Sequence, residues 1–197
     1  ERTFDVIVVG GGVVGLSVAY CLSERRDVRV AVLERGRIGQ AATWAAAGML
    51  AVQCEVDRPG PFLTFALAGR AFYSQLAPRL YDEIGVDIGL RRTGALRVAL
   101  SEAGSEDLKR EMDEQRRWGL RAEWLDELEL RKVAPLLAPA ARGGVYLPDE
   151  GHVDNRSLAM ALATACARRG VCFFEHTEVT GWLVRRPVSG ESLPETS

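Results

Sequence analysis

A chain of 197 residues, 47% hydrophobic and 26% charged, is long enough for one good core or two small ones, and its make-up excludes disorder and collagen-like structure. A net charge of −2 with no long basic run leaves no electrostatic footprint for nucleic acid or anionic lipid. The scattered arginines, with Lys109 and Lys132 the only lysines, reflect a GC-rich source rather than a function. The cysteines (Cys21, Cys54, Cys166 and Cys172) form no C-x-x-C pair, and His152 and His176 stand at no metal-ligand spacing, so no metal site is expected. Three of the four fall in apolar runs, which predicts reduced, buried thiols and a cytoplasmic protein.

Phe4–Val9 reads as a β-branched strand ending in glycines, followed by a helix from Val13 to about Arg25 and a second strand, Val28–Leu33, apolar enough to be buried on both faces. The uncharged stretch Val6–Leu22 could pass for a membrane segment, but three consecutive glycines interrupt it and Asp5 precedes it. Gly36–Ala51 is small and apolar, suited to close approach by something bulky. After Pro59-Gly60-Pro61, Phe62–Ile84 carries apolar residues at helical spacing. Gly94–Leu100 and Gly143–Leu147 read as strands, Glu102–Trp118 as a charged helix, and Asp126–Val133 as a shorter helix stopped by Pro135. Asn155 is a plausible N-cap for a helix to about Arg169, with Gly170 beyond its end. Strands Val171–Phe174 and Val179–Val184 follow. The tail Ser189–Ser197 contains Leu193-Pro-Glu-Thr196, without the hydrophobic span of a surface-sorting signal.

Gly10-x-Gly12-x-x-Gly15 lies between the first strand and its helix, and Glu34 closes the next strand. Gly10 permits the turn, Gly12 lets amides approach a pyrophosphate, Gly15 lets helix pack on strand, and the helix amino end favours phosphate. Glu34 is placed to accept from ribose hydroxyls and would repel a 2′-phosphate. The pattern is that of a dinucleotide site. By itself it does not separate FAD from NAD, and an NAD-dependent dehydrogenase remains a competing reading.

The segments DVIVVGGGVVGLSVAYCL, VLERG, AATWAAAGML, GHVDNRSLAMALATACARRGV and FFEHTEV together resemble the D-amino-acid-oxidase superfamily of FAD-dependent enzymes, and within it the bacterial glycine oxidases of thiamine biosynthesis. The resemblance implies a non-covalent FAD. It places Val13 and Val14 at the phosphate turn, Glu34 and Arg35 at the adenosine ribose, and Ala42 and Thr43 at the pyrophosphate. Ala47, Gly48 and Met49 lie against the flavin ring, Val179 beside the adenine, and Ala51 and Cys54 near the substrate pocket. Cys54 stands where alanine is expected. The implied reaction oxidises a small amine such as glycine to an imine, with dioxygen as acceptor and hydrogen peroxide as product. Sarcosine or D-amino-acid oxidoreduction, or a nucleotide-binding subunit active only with a partner chain, are the alternatives.

The implied fold class is α/β, a Rossmann-like FAD-binding parallel sheet with part of a second α+β substrate domain. Residues 1–85 and 150–185 are expected to hold the cofactor, 86–149 to begin the substrate domain, and 186–197 to form a polar tail. The family's substrate-binding arginine and tyrosine lie in a second half of the chain, so no catalytic residue is assigned within 1–197. Phe4–Val9 reads as a central strand with one partner within reach. A complementary carboxy-terminal segment or second polypeptide is therefore expected to complete both sheet and site. A homo-oligomer is compatible with this reading; nucleic acid and membrane are not expected partners.

Overall fold

The structure, a computed structural model, describes residues 3–184. In chain order the elements are β1 (Val6–Val9), α1 (Val13–Leu22), β2 (Val30–Leu33), α2 (Ala42–Ala45), β3 (Met49–Leu50), α3 (Val52–Glu55), α4 (Pro61–Ile84) and β4 (Ala95–Ala99). They continue with α5 (Glu102–Arg117), β5 (Glu123–Asp126), α6 (Glu127–Val133), β6 (Gly143–Leu147), β7 (Gly151–His152), α7 (Asn155–Arg168) and β8 (Cys172–Phe174).

β1, β2 and β8 form a parallel sheet in that order, in register from Val6↔Val30 to Val9↔Leu33 and from Ala31↔Cys172 to Leu33↔Phe174. β2 is central and its Val30, Ala31 and Val32 are buried, as an apolar strand flanked on both sides requires. Helix α1 packs on this sheet, α7 packs on α1, and α4 packs on α7. Leu16, Leu76, Leu80, Ile88, Leu158, Leu162 and Cys166 form the main core between them. Arg169, at the end of α7, binds this helix to the other two: it donates to Glu83 Oε2 at 2.6 Å and lies 4.1 Å over the buried Tyr20 ring.

β4, β6 and β5 make an antiparallel sheet in that order, covered by α5, with a smaller core of Ala99, Leu108, Met112, Ala122, Val145 and Leu147. A capping box fixes the start of α6: Asp126 accepts from the Glu129 amide and Glu129 from the Asp126 amide. The short antiparallel pair β3–β7 joins the glycine- and alanine-rich segment to the turn ahead of α7. The fold class is thus α/β with a parallel sheet. No helix among the described residues is long and apolar enough to cross a membrane.

Several sequence expectations need correction. α1 stops at Leu22, because the Arg25 amide bonds back to Leu22 O at 3.0 Å in a tightened turn that redirects the chain toward β2. The N-cap of α7 is Asp154, not Asn155; its Oδ1 accepts from the Arg156 and Ser157 amides at 2.9 and 3.0 Å. Val179–Val184 is not a strand, since β8 already uses the available edge of β2 and no described strand lies beyond it. Phe62 and Phe65, on the apolar face of α4, are 66% and 75% exposed, because nothing described packs over that end of the helix. Of the cysteines only Cys166 is buried, and burial pushes its thiol up to about 12; Cys21 is exposed. The tail, with Leu193–Thr196, lies outside the described residues.

Leu162 is fully buried where α7 meets α1. Leu162→Ala should cost about 2–5 kcal/mol in denaturant unfolding; a loss under about 0.5 kcal/mol, the range of surface substitutions, would contradict this packing.

Candidate functional site

The turn between β1 and α1 is built on backbone constraints. Gly10 has φ +104°, a conformation that side chains rarely adopt, and its amide donates to Leu33 O at 2.8 Å. A Cβ on Gly15 would sit 2.0 Å from Gly10 O, so only glycine lets α1 approach the strand this closely. Gly12 is the N-cap of α1, with no side-chain cap and no acidic residue in the first turn. The positive end of the helix therefore faces outward without a counter-charge of its own. Thr43, from α2, comes to this turn and its Oγ1 accepts from the Val13 amide at 2.9 Å.

Glu34 closes the arrangement from the end of β2. Its Oε2 accepts from the Gly11 amide and its Oε1 from the Gly36 amide, both at 2.8 Å. The Gly36 amide, then the Gly11 amide and the Arg35 charge, hold its carboxyl below the usual glutamate range, against an opposing effect of burial. Each oxygen keeps a lone pair for a further donor. A cleft of about 280 Å³ opens beside it, lined by Val9, Gly10, Glu34, Arg35, Thr177 and Val179 among others. Val179 thus shares one cleft with Glu34, although residue 179 is far along the chain.

A second cleft, of about 220 Å³, includes Val13, Thr43, Ala46, Gly48, Met49 and Asn155. Gly48 has φ +73°, and a Cβ there would lie 2.1 Å from Val153 O, so β3 lies tight against the chain that leads into α7. Ala42 and Ala47 are exposed and line neither cleft; Val14 is exposed on α1. Ala51 is buried, and its carbonyl accepts from the Cys54 amide at 3.2 Å. Cys54 lines a separate cleft of about 240 Å³ with Arg97, Glu111 and Trp118, beside the second sheet. Burial and the Glu150 charge raise its thiol above the ordinary range.

Four residues that the motif reading gave no part in the cofactor site hold these parts together. Asn155 Nδ2 donates to the Thr43 carbonyl, tying α2 to the start of α7. Glu175 Oε1 accepts from the Ile38 amide at 2.7 Å, the His176 amide donates to Gly36 O at 3.0 Å, and the Thr177 amide donates to Glu34 O at 2.9 Å. His176 has φ +52°, which turns the chain after β8 back across the end of β2. Their signal was the EHTEV and GHVDN segments themselves.

The residues fit an extended dinucleotide. A helix end with no acidic residue in its first turn, an ionised acid closing the second strand, and clefts lined by residues of the turn and its neighbours are the features such a ligand needs. A family model described as FAD dependent oxidoreductase (DAO) matches residues 5–195. Glycine oxidase from Geobacillus kaustophilus is 40% identical over 194 residues, 98% of this chain and 51% of that protein. The crystal structure of that glycine oxidase aligns with a TM-score of 0.86 over 91% of this chain and 48% of its own. The Synechocystis bifunctional protein ThiO/ThiG is 34% identical over 87% of this chain and 24% of its own length. The chain spans about half the length of the glycine oxidases it matches.

Glu34→Ala should weaken dinucleotide binding by about 1.5–3 kcal/mol, and Gly12→Val by more, as cofactor content after gel filtration would register. Unchanged retention in both variants would defeat the assignment. Because the folded-state carboxyl of Glu34 is depressed, its contribution to stability is complete above about pH 4.3 and is lost as pH falls through the lower folded value. In Glu34→Gln that part of the acid dependence should disappear from pH-dependent unfolding.

Proposed function

The chain belongs to the FAD-dependent oxidoreductase family, and from that membership we propose that it is the cofactor-holding part of a glycine oxidase acting in thiamine thiazole synthesis. In the proposed reaction glycine, water and dioxygen become glyoxylate, ammonia and hydrogen peroxide, by way of the imine. The observation that carries this reading is the likeness to glycine oxidases along nearly the whole chain. The ThiO/ThiG relative supports the link to thiamine. FAD supplies the two-electron acceptor that the oxidation needs.

This chain's part is to bind and orient. Gly10, Gly12, Val13, Val14 and Gly15 bring backbone and helix dipole to the phosphates, with Ala42 and Thr43 beside them. Glu34 and Arg35 meet the ribose, and Val179 the adenine side. Ala47, Gly48 and Met49 face the flavin ring, where residues larger than these would intrude. Ala51 and Cys54 border the substrate side, with Cys54 trimming the pocket relative to alanine. Residues 1–85 with 150–185 form the cofactor unit, and 86–149, with its own sheet and core, begins the substrate unit.

The remaining polypeptide, or a second chain, completes the enzyme. β1 pairs only with β2 among the described strands, and Ile7 and Val9 on it are 54% and 64% exposed. A strand laid along that edge would satisfy its free backbone groups. The apolar cleft of about 370 Å³ between α1 and α4, lined by Val14, Val18, Phe65 and Phe72, would take side chains from the same segment. A cytoplasmic location belongs to this proposal, supported by four unpaired cysteines.

The full polypeptide should purify with bound flavin and release peroxide with glycine faster than with sarcosine or a D-amino acid. Residues 1–197 alone should not turn over. A faster reaction with sarcosine or a D-amino acid would move the enzyme to that branch of the family, and a flavin-loaded 1–197 fragment that oxidises glycine would refute the need for a complement.

A further inference from the structure

Glu150 is fully buried in the link between β6 and β7, the one buried carboxylate among the described residues. Its Oε1 accepts from the Gln53 amide at 2.8 Å and from Arg70 Nη1 at 2.7 Å. Arg70 comes from α4, with its side chain 14% exposed. The Gln53 side chain is buried too and donates to Gln115 Oε1 at 3.1 Å and to Arg121 O at 3.0 Å; Gln115 Nε2 returns a bond to Gln53 O at 2.8 Å. One carboxylate and two amides thus join α3, α4, α5 and the β6–β7 link.

Such a network is a poor way to gain stability. Removing a carboxylate and a guanidinium from water costs several kcal/mol per ion, and well-packed apolar residues of similar volume often do as well or better. Glu150 Oε2 has no hydrogen-bonding partner among the protein groups. What the network does supply is direction, because a buried, charge-assisted bond fixes a backbone amide that apolar packing would let slide.

The amide so fixed belongs to Gln53, in α3, the short helix that follows β3. β3 itself is held by two residue pairs, Met49↔His152 and Leu50↔Gly151, and β7 begins at the residue after Glu150. The segment 49–54 is therefore clamped from a single short stretch of chain, by strand pairing at one end and by Glu150 at the other.

We propose that Glu150 is a positioning residue for the substrate pocket: through the Gln53 amide it sets Ala51 and Cys54, and with β7 it sets Met49. The kinetic part of this inference rests on the functional reading above, while the structural part does not.

The test uses the full polypeptide loaded with FAD. Glu150→Ala removes the clamp and Glu150→Gln keeps its shape without the charge, so that one variant remains informative if the other does not fold. Asp27→Asn, which breaks only an exposed pair with Arg25 and touches no member of the network, is the control. Hydrogen exchange of the amides in residues 49–56 should quicken about 10- to 100-fold in the Glu150 variants, the loss expected of a charge-assisted bond, and stay at the wild-type rate in the control. With flavin content unchanged, kcat/KM for glycine should fall on the order of 10- to 100-fold, mainly through KM, because the reacting groups are untouched. Wild-type exchange in both Glu150 variants, equal loosening in the control, or loosening with unaltered KM would each overturn the proposal. Loosening in a protein whose wild type oxidises no amino acid would support the clamp and sink the functional reading instead.

Discussion

The amino-terminal architecture depends on where the Glu34 carboxylate sits. It receives one amide from the turn after β1 and another from the turn after β2, so a single side chain fixes both loops at the carboxyl ends of two parallel strands. The chain after β8 is tied to the same place through Glu34's own backbone, which donates to Phe174 O and accepts from Thr177. Ligands of open α/β sheets bind beyond these strand ends. An acid held here by amides is both a brace for the loops and an ionised acceptor toward the cleft. Replacing it therefore loosens the site as well as removing a contact, and the two effects are not separable from one substitution.

Helix packing transmits that arrangement to the rest of the unit. Gly15 lets α1 descend onto β1, α7 fills the space beside it, and Arg169 pins the ends of both to α4 through Tyr20 and Glu83. The Arg169 guanidinium holds the Glu83 carboxyl below its usual range, and Glu83 in turn keeps the arginine over the tyrosine ring. Asn155 at the opposite end of α7 reaches α2, so one helix connects the core to the segment that carries Thr43. The cofactor turn and the segment 42–49 are thus set by the same rigid element, which suits a ligand that must span both.

What the sequence disclosed followed from periodicity and from glycine. The β1–α1–β2 unit, α4, α5 and α7 were legible because each carries an apolar pattern of adequate length, and Gly10 and Gly15 because their neighbours leave no room for a side chain. The pair β3–β7 was not legible, since two-residue strands have no period to detect. Glu150 was not legible either: an acid between Asp149 and Gly151 reads as a solvated turn, and only the surrounding elements show that it is buried. The aromatics of α4 misled in the opposite direction. A helical apolar stripe implies that something covers it, but not that the cover lies within the same 182 residues described here.

Exposed apolar side chains recur on β1, α1 and α4. Isolated exposed hydrophobic residues are ordinary, but among those of the described residues Ile7 and Val9 lie on β1, Val14 and Val18 on α1, and Phe62, Phe65 and Phe72 on α4. The alternation along β1, with Val6 and Val8 half-buried and Ile7 and Val9 exposed, means that one face of the strand already packs on α1's side while the other lacks its layer. A solvated face would carry polar residues at those two positions. Both are β-branched, as they would be in a strand covered on both faces and paired on both edges. Among the described residues the backbone of β1 has an unpaired edge and its side chains an uncovered face, and both support the proposal that further polypeptide packs against this strand.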